Sequence, residues 1–302
     1  MDRPTPQDLY ALFRHISRSA SALPATQRLG YYQGALDQIP NPVDRQSVES
    51  LLLAAGVATP PAMPRQIVLL VHGIQSRGVW QEPLATLLNS IPNVTATPVR
   101  FGFVDVIRLL VPGPLRRNPI SHLIDQIQLV RKDNKDARIS VIAHSYGTYA
   151  ITEALLAKSY ITLYRLILCG SIVRPRFPMD RIATQLEMPP VLNECGTRDV
   201  WPVWARSLTW GYGASGTFGF ENVSPINRFW DLNHAGFFTE EFYRSAWLPL
   251  FDESETAPRL PPGQRPTSPM WYTLVDQIPL RWLVVLLFGA LLLGLVSLIR
   301  RI

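Results

Sequence analysis

Ala143-His144-Ser145-Tyr146-Gly147 places a serine between an apolar stretch, Arg138 to Ala143, and a helix-like stretch, Thr148 to Ala157. Strand, serine, helix is the setting of a nucleophile elbow, a sharp turn that lifts the hydroxyl clear of the backbone. The turn needs small residues two before and two after the serine. Gly147 meets that need, and Ala143 meets it less permissively. A serine hydroxyl is a poor nucleophile until a base takes its proton. The chain has five histidines, His15, His72, His122, His144 and His234, and only His234 follows Ser145. Triads built on an elbow run in chain order serine, acid, histidine. His234 therefore becomes the candidate base.

The acid must lie between them. Candidates are Asp180, Asp199 and Asp231, with Glu187, Glu194 and Glu221 among the glutamates. Asp199 follows a strand-like stretch, Pro190 to Cys195, and a Gly196 turn, and Pro202 then suits a helix start. That puts a carboxylate at the C-terminal rim of a sheet, where it would fix the imidazole tautomer. The same position suits a plain helix cap. Asp231 is the reserve, though it stands close to His234. Developing negative charge on a carbonyl needs two backbone N–H groups. One is expected from Tyr146, the other from Ile74 or Gln75 in the loop Val71 to Trp80, where Gly73 permits close approach. Trp201, Trp204 and Trp210 crowd the region after Asp199. They are candidates for a substrate pocket, and they fit a membrane interface or a core equally well.

These side chains need a scaffold. Ile67 to Val71 is a continuous apolar run, as in a strand buried on both faces. Further strands are expected at Val94 to Phe101, Arg138 to Ala143, Leu163 to Cys169, Pro190 to Cys195 and Arg228 to Leu232. Helices are expected around Trp80 to Asn89, Ile120 to Arg131 and Thr148 to Ala157. Alternation of this kind predicts a parallel sheet of about six strands with helices on both faces.

Together, the His72-Gly73 loop, the Ser145 elbow, Asp199 and His234 resemble the α/β-hydrolase family across roughly residues 66–245. The resemblance implies a mostly parallel sheet with a Ser145–Asp199–His234 site at its C-terminal edge. It also implies cleavage of an ester through an acyl-enzyme, without a cofactor. Two departures stand out: Ala143 replaces the first elbow glycine, and no opening antiparallel hairpin precedes residue 66. Two other readings keep the same residues. One is a catalytically silent scaffold, and the other transfers the acyl group to an acceptor other than water.

The remainder of the 302 residues is organised around that body. Residues 1–65 form a helical extension, with Leu9, Leu12, Phe13 and Ile16 on one face. It is read as packing, with a lid as the alternative. Residues 66–248 are the catalytic domain, and residues 249–279 a proline-rich linker. From Trp282 to Ile299 only Ser297 is neither apolar nor glycine, so residues 280–300 are expected to cross a bilayer. Trp271, Tyr272 and Trp282 sit at one end of that span, and Arg300 and Arg301 at the other. The expected location is a single-pass membrane anchor with the catalytic domain in the cytoplasm. Expected partners are the bilayer and an ester or lipid substrate.

Composition narrows the classes. At 47% hydrophobic and 17% charged, the chain is not disordered. The net charge of +6 rests on scattered arginines, since Lys132, Lys135 and Lys158 are the only lysines. No stripe or module for nucleic acid is present. Cys169 and Cys195 cannot build a disulfide framework, which suggests free thiols. The polar start, Met1 to Tyr10, is not a signal peptide. Gly211 to Gly216 matches G-x-G-x-x-G, but no strand precedes it and no helix pattern follows, so a dinucleotide site is not expected.

Overall fold

The computed structural model describes residues 4–23, 25–55, 64–73, 79–99, 117–188, 190–252, 261, 263–283, 285–287, 289, 290 and 293. The chain forms two compact units, Met1–Met63 and Pro64–Ile302.

In the first unit three helices surround a small core: α1 (Pro6–Ser21), α2 (Ala25–Asp37) and α3 (Pro42–Ala54). α1 opens on a capping box between Thr5 and Asp8, and Asn41 caps α3 through its side chain. The apolar stripe of α1 meets Tyr32, Val48 and Leu52, with Ile16 fully covered.

The second unit is built on six strands: β1 (Gln66–Val71), β2 (Val94–Val99), β3 (Arg138–His144), β4 (Arg165–Cys169), β5 (Leu192–Gly196) and β6 (Ile226–Trp230). Their order is β2-β1-β3-β4-β5-β6, and every neighbouring pair is parallel. This is the mostly parallel, helix-flanked sheet implied by the resemblance. Alternate residues feed two cores. Leu69 of β1, Val141 of β3 and Leu168 of β4 face α5 (Arg117–Asp133) and α6 (Tyr146–Ala157). Leu70, Ile142 and Ile167 face the other way, toward α4 (Gln81–Asn89) and the stretch 242–251. Both faces are covered, so the strands read as unbroken apolar runs. Strand β6 starts and ends two residues earlier than expected, because its register pairs Leu192 with Ile226 and Gly196 with Trp230. Phe101 lies outside the described residues.

Short helices complete the unit: α7 (Met179–Ala183), α8 (Trp201–Leu208), α9 (Ser215–Phe218) and α10 (Glu240–Phe242). The two ends of the stretch 249–279 depart from the expected extended linker, while 253–260 and 262 lie outside the described residues. Leu250 and Phe251 are core residues, and Gln66 Nε2 donates to the Phe251 carbonyl at 2.9 Å. Met270–Gln277 forms a further helix, α11, because its Tyr272 and Val275 find Val203 and Ala214 to pack on. Pro269 precedes it, where a missing N–H costs nothing. Among the described residues no helix is long and apolar enough to cross a membrane. Much of the expected span 280–300 lies outside them, namely 284, 288, 291, 292 and 294–300. Those described from Arg281 onward are helical.

Candidate active site

β3 ends at His144, and α6 begins at Tyr146. The single residue between them, Ser145, takes φ 53° and ψ −120°. A non-glycine residue there carries roughly 1–3 kcal/mol of backbone strain, which persists only where the surroundings enforce it. They do so here. The Ser145 N–H donates to the Cys169 carbonyl at 3.0 Å, and the Thr148 N–H and hydroxyl both donate to the Ser145 carbonyl. A Cβ on Gly147 would stand 2.7 Å from the Val71 carbonyl oxygen, so α6 can start this close to the end of β1 only with glycine. Ala143, the substituted position, is fully buried without disturbing the turn. The Ser145 side chain makes no capping bond to α6, which leaves its hydroxyl to the cavity.

β1 and β3 are neighbours, and the chain leaves their C-terminal ends toward opposite edges of the sheet. This is the switch point where open α/β sheets bind ligands. Gly73, just past β1, would bring a Cβ to 2.7 Å from Ser145 Cβ. Tyr146 is the first residue of α6, with its amide at the positive end of the helix. Ile74 and Gln75, the other expected oxyanion donors, lie outside the described residues.

Asp199 and His234 are set by one strand pair. Beyond β5 and β6 the pairing continues, with Thr197 N–H on the Trp230 carbonyl and Arg198 N–H on the Leu232 carbonyl. These bonds bring the two following loops together. Asp199 Oδ2 meets His234 Nδ1 at 2.7 Å, and Asp199 Oδ1 accepts from the Trp201 N–H at 3.1 Å. Asp199 is fully buried, and the His234 ring is about one-fifth exposed. With Nδ1 engaged, Nε2 is the nitrogen left to take a proton. Asp231 turns outward instead and forms a bidentate pair with Arg198, at 2.6 and 2.8 Å. Glu194 is held by Arg228, Trp230 and Trp247 inside the core. Neither serves His234.

Ser145 and His234 open into a single cavity of about 540 Å³, together with Gly73, Trp80, His144 and Phe238. That is the size of a small-molecule site. Its walls are apolar: Trp80 stacks on Phe238 at 4.9 Å, and Phe238 meets His144 edge-on at 4.7 Å. Trp201, Trp204 and Trp210 are all absent from the residues lining this cavity. Trp210 instead packs against Trp282, 5.8 Å between centroids. Trp201 is well exposed, its ring 6.3 Å from that of His234.

Three features escaped the sequence. Gly170, after β4, has φ 54°, and a Cβ there would press on Asp199 Oδ2 and His234 Nδ1, each at 3.1 Å. His144 Nε2 donates to the His234 carbonyl at 3.2 Å, tying the base loop to the elbow. Burial holds its imidazole well below the usual histidine range, and the nearby His234 adds to this. Burial also lowers His72, whose Nδ1 lies against the Gly73 carbonyl at 2.5 Å. The cavity wall is the third: Phe238, four residues after His234, was the only signal. Among the described residues no group of three His, Cys, Asp or Glu side chains is placed to hold a metal.

No protein-family model and no curated protein matches the chain. Solved structures do. A thermostable carboxyl esterase from Bacillus coagulans is 20% identical, with TM-score 0.27, and the match spans 42% of each chain. Dienelactone hydrolase from Anabaena variabilis is 15% identical over 65% of this chain and 86% of its own, with TM-score 0.38. A Trichoderma reesei cutinase is 17% identical over 53% and 73%, with TM-score 0.27. Every one of these TM-scores is below 0.5, so the case for the site rests on its own geometry.

Proposed function

We propose that the protein is a serine hydrolase of carboxylic esters, tethered to a bilayer by residues 280–300. The observation that carries this reading is the buried Asp199–His234 bond opening, beside a strained Ser145, into one apolar cavity. Ser145 Oγ attacks the ester carbonyl, and His234 Nε2 takes its proton and passes it to the departing alcohol. Asp199 holds the tautomer and stabilises the imidazolium. The Tyr146 amide, with Ile74 or Gln75, receives the oxyanion. Water then enters, His234 takes its proton, and the acyl-enzyme is cleaved. The apolar wall of Trp80 and Phe238 suits an acyl chain, and the apolar run Trp282 to Ile299 suits a substrate drawn from lipid.

The test is covalent labelling with a fluorophosphonate probe. The wild type is expected to label, and Ser145→Ala and His234→Ala are expected not to. A wild type that stays unlabelled in both detergent and vesicles overturns the reading and leaves a silent hydrolase-fold scaffold.

A further inference from the structure

α11 is apolar on two sides, and only one side is used. Tyr272 and Val275 pack on Val203 and Ala214, while Met270, Trp271, Leu274 and Ile278 are exposed, Met270 by 86%. An apolar helix face left in water marks a surface for a partner or for lipid. The used side is firmly fixed to α8, the helix that follows Asp199. Tyr272 Oη donates to the Arg198 carbonyl at 3.0 Å, and Arg206 pairs with Asp276 at 2.6 Å. Ser207 Oγ donates to the Ile278 carbonyl at 2.5 Å, and Arg281 reaches the Arg206 carbonyl at 3.2 Å. The chain then enters the run Trp282 to Ile299.

We infer that the exposed face of α11 is a bilayer-contact surface, and that its dock on α8 mounts the catalytic pocket at a fixed height above the lipid. This rests on the anchored-hydrolase reading. The occupant is argued from continuity. After Pro279, Leu280 and Arg281 the exposed face is followed by an 18-residue run broken only by Ser297 and glycines, and Trp271 and Trp282 stand where interfacial aromatics belong. Trp201, exposed with its ring 6.3 Å from that of His234, begins the same α8 that carries the mount. An eight-residue helix is about 12 Å long. His234, which lines the pocket, thus lies about one short helix from the point where the chain meets lipid, which suits an ester whose acyl chain stays in the bilayer.

The experiment places a nitroxide on the full chain at Leu274→Cys, with Val223→Cys, a fully exposed site, as the water-side reference. Cys169 and Cys195 are buried and stay unlabelled under native conditions. In phosphatidylcholine vesicles, the label at 274 is expected to lose at least about fivefold of its accessibility to a nickel chelate and to gain accessibility to oxygen, while the label at 223 changes neither. Equal nickel access at both sites on vesicles overturns the proposal. So does failure of the chain to float with vesicles, or shielding at 274 in buffer alone, which indicates a second copy on this face. Loss of fluorophosphonate labelling without loss of the lipid signal would fault the hydrolase reading and not the contact. As a second variant, Met270→Ser with Leu274→Ser is expected to lower turnover of a vesicle-borne long-chain ester about fivefold and leave a soluble acetate ester unchanged.

Discussion

Gly170 and His144 shape the surroundings of Asp199 and His234. Gly170 sits in the left-handed region directly beneath the Asp199–His234 bond. Gly170→Ala would add backbone strain of roughly 1–2 kcal/mol and push a methyl group against both partners. Displacing a base by under an ångström is costly to a reaction that depends on alignment. We expect turnover of a soluble ester to fall about 10²-fold with the far-ultraviolet dichroism spectrum preserved. Retained turnover would show that the pair tolerates movement. Asp199→Asn tests the bond itself, with an expected loss of roughly 10³–10⁴-fold in kcat. His144 makes a different prediction. Its folded form favours the neutral imidazole because burial lowers its affinity for a proton. The unfolded chain therefore binds more protons as pH falls below about 6.5, and the protein loses stability in that direction. His144→Gln should flatten this dependence by roughly 1 kcal/mol between pH 7 and pH 5.5 in denaturant titrations. An unchanged slope in the variant would locate the acid sensitivity elsewhere, with His72 the next candidate.

Between elements, the β5–β6 pair decides whether the site exists, because it sets Asp199 opposite His234. Its register is locked from behind by a buried ion pair. Glu194 of β5 accepts from Arg228 of β6, and also from the indoles of Trp230 at 2.7 Å and Trp247 at 3.1 Å. Glu194→Gln would leave a buried guanidinium without its counter-charge, at a cost of about 3–5 kcal/mol. Glu194→Gln with Arg228→Met should recover most of that loss, since the unpaired charge is gone. Chemical denaturation of both variants tests this, and a double variant no better than the single one would refute it. Much at this scale was legible. The six strands announced themselves because β1, β3 and β4 are buried on both faces and read as unbroken apolar runs. The elbow was legible because strand, small residue and helix are contiguous in the chain. Chain order singled out His234, the strand end and Gly196 turn favoured Asp199, and the structure brings the two side chains to 2.7 Å. The cavity wall was not legible, because Trp80 and Phe238 meet across more than 150 residues, and no local pattern marks such a contact. Nor was α11, where six prolines between 249 and 269 outweighed the short apolar pattern of Tyr272 and Val275.

For the whole molecule, the division of labour between the two units yields the broadest prediction. Each unit has a core of its own. The first packs Ile16, Val48 and Leu52 among three helices, and both cores of the sheet draw every member from residue 67 onward. Among the described residues, the cavity that holds Ser145 and His234 is likewise lined by residues between 73 and 243. A domain keeps its stability when its own core and hydrogen bonds remain whole. Among the described residues, neither core of the second unit includes a residue from 1–63. The shortened chain should therefore fold and react with a fluorophosphonate at Ser145 within about twofold of the full-length rate. A shortened chain that folds, judged by an unchanged near-ultraviolet spectrum, yet labels more than tenfold faster would make the helical extension a lid. One that labels more than tenfold slower would make it a contributor to the site. The lid and the packing readings of residues 1–65 differ only in this rate.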